Sequence, residues 1–109
     1  MATSLKILGQ AAPLATTNTD LYTVPAATSV SSSSIVVCNQ SATATTFRIA
    51  LRVAGAAITA KQYIYYDVAI PGNDTFIATV GISLATTDVV TVYCTLATCS
   101  FTILGQEIT

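Results

Sequence analysis

The alternation of apolar and polar residues over 34–53, SIVVCNQSATATTFRIALRV, predicts two β-strands joined by a polar turn. In the second strand, Phe47 and Ile49 flank Arg48, a period of two that is typical of a strand with one buried face. The first strand is apolar at every position of 35–38, which predicts that both of its faces are covered. The segment therefore predicts a hairpin, which needs further strands and a facing layer to be stable.

Similar apolar alternation recurs along the rest of the chain, and clusters of turn residues separate the segments that show it. The strands predicted outside the hairpin are 5–8, 21–24, a short one at 58–59, 61–70, 75–84, 89–96 and 99–108. Strands at intervals of about 8–12 residues, without any helical period, are typical of sandwiches and barrels. We therefore predict an all-β fold, an antiparallel β-sandwich or jelly-roll-like barrel of about eight strands, in a single domain over 1–109.

The segment 61–70 is the aromatic strand of the set, and both of its faces carry large side chains. The face that we predict to lie in the core carries Ile64, Tyr66, Val68 and Ile70. The other face carries Tyr63, Tyr65 and Asp67, and we expect it to be either solvated or a contact patch. In the next segment, 75–84, a glycine inside the strand pattern predicts a bulge or a close backbone approach.

The tetrapeptide Ile-Leu-Gly-Gln occurs at 7–10 and again at 103–106. Four residues are too few to define an internal repeat. Two interpretations remain open: the first and last strands are similar edge elements that neighbour each other in one sheet, or the likeness is a coincidence.

Charged residues make up 8% of the chain, against about 25% in ordinary soluble domains, while 52% of the residues are hydrophobic. No apolar run approaches the roughly 20 residues of a membrane helix, so we expect no membrane partner. The first ten residues lack the pattern of a secretory signal. Only four residues are basic, which argues against nucleic-acid binding. We interpret the charge-poor exterior as one that is partly covered in an assembly; the alternative is simply a threonine-rich β domain.

Residue types that carry catalysis are sparse. The chain has no histidine, which excludes histidine-dependent nucleophilic schemes and histidine metal sites. Cys38, Cys94 and Cys99 lack metal-type spacing, and we expect Cys38 and Cys94 to be buried, reduced thiols, with a disulfide as the alternative. We predict no catalytic residue, no cofactor, no metal and no enzymatic activity.

Four residues are candidates for a contact surface, because tyrosine and arginine are enriched at protein interfaces. They are Arg48, Arg52, Tyr63 and Tyr65. The alternative is that these tyrosines cover a sandwich edge and that the arginines are ordinary solvated charges.

Several motifs together resemble those of small structural proteins of tailed bacteriophages. The motifs are LYTVPA at 21–26, IVVCN at 35–39, TTFRI at 45–49, YIYYD at 63–67 and NDTF at 73–76. They are strand and turn signatures that cover most of the chain. Ala27 departs from the pattern, since we expect a glycine after Val-Pro-Ala, and it predicts a different loop path.

The resemblance implies a β-sandwich virion component without enzymatic activity, assembled in the host cytoplasm. We expect a capsid cement or decoration protein that stabilises the major capsid shell, forms a homotrimer and binds the major capsid protein or another virion component. The alternative within virions is a tail, baseplate, neck or fibre-attachment protein. A carbohydrate-binding module that stacks sugars on Tyr63, Tyr65 or Tyr66 is an alternative from another class, which the absence of tryptophan disfavours.

Overall fold

A computed structural model, which describes residues 2–109, shows nine strands in two antiparallel sheets packed as a β-sandwich. The strands are β1 (Thr3–Ala11), β2 (Thr19–Thr23), β3 (Ser29–Asn39), β4 (Thr45–Arg52), β5 (Tyr63–Ile70), β6 (Thr75–Ala78), β7 (Ile82–Leu84), β8 (Val89–Cys94) and β9 (Cys99–Ile108). Sheet A has the order β1-β9-β3-β6, with β7 also paired to β3, and sheet B has the order β2-β8-β4-β5. Within 2–109 the helical elements are two 3-10 turns, Val53–Gly55 and Ala60–Gln62. The all-β prediction is confirmed, and the fold is a sandwich.

The predicted hairpin at 34–53 is wrong, because its two strands lie in different sheets. β3 pairs with β9, β6 and β7, whereas β4 pairs with β8 and β5. The polar residues between them carry the chain from one sheet to the other. Buried Asn39 supports this crossing, since its side-chain amide donates hydrogen bonds of 2.9 Å and 3.2 Å to the carbonyls of Thr43 and Pro71. Apolar alternation identifies the buried face of each strand but not its neighbour.

The central part of β3 is covered on one face only. Ile35 and Val37 are fully buried, whereas Val36 and Cys38 are half-exposed on the outer face of sheet A. The prediction that 35–38 is covered on both faces is therefore wrong, because no element within residues 2–109 packs over that outer face. Half-exposed Cys38 likewise differs from the buried thiol expected there.

The predicted strand at 75–84 is two short strands, β6 and β7, that pair with successive parts of β3. Residues 79–81 break the strand instead of forming a bulge, and Gly81 has φ +65° in the break. Residues 58–59 belong to no strand, so the strand predicted there is also wrong. Thr59 instead begins a 3-10 turn, where its N–H donates to Gln62 Oε1 at 2.8 Å.

β1 and β9 lie side by side, and Ile7 is opposite Leu104, so the two Ile-Leu-Gly-Gln segments are neighbours in one sheet, as one of the two open interpretations had it. The two strands are not both edge elements, since β1 lies at the edge and β9 lies between β1 and β3. This pairing continues to the chain ends, where Ala2 and Thr109 exchange backbone hydrogen bonds of 2.9 Å and 2.8 Å. Farther along β1, a Cβ added at Gly9 would lie 2.3 Å from the carbonyl oxygen of Leu21 in β2. Glycine therefore allows the two sheets to approach closely at this side of the sandwich.

An aromatic contact joins the two sheets in the core. Phe47 of β4 is fully buried, and its ring centroid lies 5.2 Å from that of Phe76 and 6.2 Å from that of Phe101, both in sheet A. Such tilted and edge-on pairs add to the free energy of area burial. Phe47 is thus the main aromatic link between sheet B and sheet A.

Ala27, where the resemblance leads us to expect glycine, has φ +54°. This is the left-handed conformation that glycine adopts most readily. The backbone there takes a conformation suited to glycine although the residue is alanine.

We predict that Phe47→Ala lowers the free energy of unfolding by about 3–5 kcal/mol, because it leaves a cavity between the sheets. Leu14→Ala is the control: Leu14 is 71% exposed, and its truncation is expected to change stability by less than about 0.5 kcal/mol. Urea denaturation of both variants measures the difference. Equal stability of the two variants would contradict the role of Phe47 as the link between the sheets.

Candidate functional site

A bulge in β5 determines which side chains face the surface. Val68 is opposite Phe47 and Tyr65 is opposite Ile49, so Tyr66 and Asp67 together face the single residue between them on β4. Asp67 has φ +52°, a conformation that aspartate tolerates better than most residues. The extra residue reverses the alternation for Tyr65 and Tyr66. A second shift follows, since Ile49 is opposite Tyr65 and Ala50 is opposite Tyr63, which leaves Ile64 as another extra residue.

The reversal explains why the predicted core face of 61–70 is only half correct. Val68 packs against the core and Ile70 is buried, as expected. Ile64 and Tyr66, however, are 39% and 57% exposed, so their assignment to the core is wrong. In their place Tyr65 faces inward, since its ring lies 5.4 Å from that of Phe76.

On the outer face of sheet B, one arginine lies between tyrosine rings. The guanidinium carbon of Arg48 is 4.2 Å from the ring centroid of Tyr66 and 4.3 Å from that of Tyr93. Tyr63 extends the group, with its ring edge-on to Tyr66 at 4.9 Å. We call these four residues, Arg48, Tyr63, Tyr66 and Tyr93, the Tyr–Arg cluster.

Asp67 fixes the arginine of the cluster. Arg48 Nε donates to Asp67 Oδ1 at 2.6 Å, and Nη2 donates to Oδ2 at 3.3 Å. These hydrogen bonds raise the pKa of Arg48, which therefore stays charged near neutral pH. The aromatic faces attract the same cation. The cluster is thus a preorganised aromatic surface whose positive charge is neutralised by the neighbouring carboxylate.

Arg52 lies on the same strand but has a different environment. Its Nη1 is 3.1 Å from Asp20 Oδ1, its Nε donates to the carbonyl of Ala56 at 2.8 Å, and its Nη2 donates to that of Gly55 at 2.9 Å. These contacts hold the turn that follows β4. The side chain of Arg52 is therefore occupied by contacts within the chain.

The structure brings Arg48 and Tyr63 together but separates them from Arg52 and Tyr65. Tyr66 and Tyr93 were not among the contact residues predicted from the sequence. The outward position of Tyr66 follows from the bulge in β5, which simple alternation does not predict. Tyr93 joins the cluster because it is opposite Arg48 in the pairing of β4 with β8, which the linear pattern does not specify.

An open hollow of about 510 Å³ adjoins the cluster. Its lining residues are Ile58, Thr59, Ala60, Tyr63 and Tyr66. The hollow is therefore mainly apolar and aromatic, with hydroxyl groups available from threonine and tyrosine.

A second polar group joins three strands. Glu107 of β9 accepts a hydrogen bond of 2.5 Å from the Tyr22 hydroxyl of β2 and lies 2.6 Å from Lys6 Nζ of β1. Both partners lower the pKa of Glu107, while burial and the Glu107 carboxylate raise that of Tyr22. This group bridges the two sheets at the β1–β2 side.

The three cysteines are free thiols. Cys94 and Cys99 are buried, and burial raises the pKa of Cys99 to about 12, so its thiol is un-ionised and unreactive near neutral pH. Within residues 2–109, no cluster of three or more histidine, cysteine, aspartate or glutamate residues is arranged to hold a metal ion. Nor does any helix in that range have the length and apolar character needed to cross a membrane.

In comparisons with known proteins, the chain matches no family model, no curated protein and no solved structure.

We predict that Glu107 makes folding stability depend on pH in the acid range. Because its pKa is lower in the folded state than in the unfolded state, its contribution is complete above the unfolded value of about 4.3 and is lost as the pH falls through the folded value. Wild type should thus be more stable than Glu107→Gln near pH 6, and the difference should shrink towards pH 3, about the range in which carboxylates titrate.

Urea denaturation at a series of pH values measures this difference. Tyr22→Phe is the matched variant: it removes one hydrogen bond to Glu107 but keeps Lys6, so its pH dependence should lie between those of the other two proteins. A difference between wild type and Glu107→Gln that stays constant with pH would contradict the assignment.

Proposed function

We propose that this chain is a structural protein of a bacteriophage virion, a decoration protein that binds the assembled major capsid shell and stabilises it. The observation that carries the proposal is the Tyr–Arg cluster, an ordered aromatic surface on a sandwich with few charges. The motifs at 21–26, 35–39 and 63–67, which resemble those of phage structural proteins, support the same role.

The geometry of the cluster suits protein contact. Tyrosine and arginine dominate binding energy at interfaces, since they combine a large apolar area with polar groups. Arg48 is held by Asp67 and two rings, so little side-chain freedom remains to be lost on binding. Tyr66 is 57% exposed and offers its ring to a partner.

The charge distribution favours attachment through short-range contacts. Six of the nine charged side chains form three ion pairs, Lys6–Glu107, Arg48–Asp67 and Arg52–Asp20. The net charge is −1, so long-range attraction to a charged partner is weak. A protein of this kind adds stability to a shell by the area that it buries across the boundaries between subunits.

A tail, baseplate, neck or fibre-attachment role is the alternative within virions. Counting the copies of the chain per particle separates the two roles. Copies spread over the whole shell support decoration, whereas a few copies at one vertex support a tail or neck part.

We predict that Tyr66→Ala weakens binding to capsid shells assembled without this chain by about thirtyfold, which corresponds to about 2 kcal/mol for a central interface tyrosine. Leu14→Ala, which truncates an exposed side chain in the loop 12–18, should bind as wild type does. Co-sedimentation of the purified protein with shells measures both. A wild-type protein that does not bind shells would refute decoration, and equal binding by Tyr66→Ala would refute the role of the cluster.

Glycan binding is a second candidate function, favoured by the hollow beside Tyr63 and Tyr66. The inward orientation of Tyr65 removes it from the candidate stacking residues. If the hollow holds a sugar ring, wild type should bind members of a glycan array, and Tyr63→Ala should lose that binding while Leu14→Ala retains it. An array without any bound glycan would eliminate this function.

A further inference from the structure

The outer face of sheet A is uncovered in the described chain and carries large apolar side chains. Strand pairing places Leu5 and Ile7 of β1, Val36 of β3 and Ile77 of β6 on this face. Leu5 is 80% exposed and Ile77 is 61% exposed. The residues around them are mostly serine, threonine and glutamine, such as Thr102 of β9.

Among residues 2–109, no charged side chain lies on this face. Lys6 and Glu107 belong to strands of sheet A, but they contact Tyr22 or each other on the side that faces sheet B. Arginine and aspartate on β2, β4 and β5 lie in sheet B. The remaining charged residues, Lys61, Asp74 and Asp88, lie in connecting segments.

The absence of charge restricts what can cover the face. A charged group buried against it would find no counter-ion and would lose its hydration, which is costly. The covering surface must therefore be uncharged. Hydroxyl groups both donate and accept hydrogen bonds, and amides carry a donor and an acceptor, so a face of serine, threonine and glutamine is complementary to itself.

The area of the face is sufficient for association. Three strands of nine to eleven residues, together with the short strands β6 and β7 of four and three residues, cover about 600 Å² at about 3.3 Å per residue and about 4.8 Å between strands. Two such faces would bury about 1,200 Å² in total, which is the lower limit for stable protein interfaces. The outer face of sheet B is less suitable, since it carries Arg48, Arg52, Asp20 and Asp67.

We propose that two copies of this chain dimerise by packing the outer faces of their A sheets against each other about a two-fold axis. The dimer leaves the Tyr–Arg cluster of each copy free on the opposite side of the sandwich. It differs from the homotrimer expected from sequence, and it does not depend on the proposed function.

Multi-angle light scattering and sedimentation velocity over a micromolar concentration series test the proposal. Wild type should reach twice the chain mass of 11.2 kDa. Ile77→Lys and Thr102→Lys each bring two like charges into the interface, so each should weaken dimerisation at least tenfold. Leu14→Lys adds the same charge in the loop 12–18 and should leave dimerisation unchanged. Circular dichroism and urea denaturation establish that the variants are folded.

Salt provides a second measurement, because an interface without charges should not weaken as ionic strength rises. The proposal is overturned if wild type has the mass of one chain or of three chains at every concentration. It is also overturned if folded Ile77→Lys and Thr102→Lys dimerise as wild type does, or if added salt dissociates the dimer.

Discussion

The packing of Phe47 between the sheets is the contact on which the other features depend. Phe47 lies on β4, a central strand of sheet B, and meets Phe76 and Phe101 from sheet A. Because side chains alternate along a strand, a buried Phe47 places Arg48 on the outer face. The core and the Tyr–Arg cluster thus lie on opposite faces of β4. A shift of β4 by one residue would therefore disrupt both.

The buried faces of most strands were predictable from sequence, because burial leaves a local period of two. Ile35 and Phe47 are examples, and both are fully buried. Strand partners were not predictable in the same way. The crossing from β3 to β4 has the polar composition of an ordinary hairpin turn, and only the tertiary contacts of Asn39 distinguish it.

The candidate site was predictable in part for a related reason. Arg48 and Tyr63 were identified from residue type, and both belong to the cluster on the outer face of sheet B, where each contacts Tyr66. The bulge at Asp67 has no glycine to mark it, so simple alternation placed Tyr65 and Tyr66 on the wrong faces. Each of these misplacements follows from one extra residue in β5.

The hydrogen bonds between Ala2 and Thr109 have a mechanical consequence. β1 and β9 are antiparallel neighbours that begin and end at the same corner, so opposed forces on the two ends would separate their ladder one bond at a time. Such unzipping requires far less force than shearing a whole ladder at once. Opposed forces applied at Ala2 and Thr109 would therefore open this ladder more readily than forces applied across the faces of the sandwich.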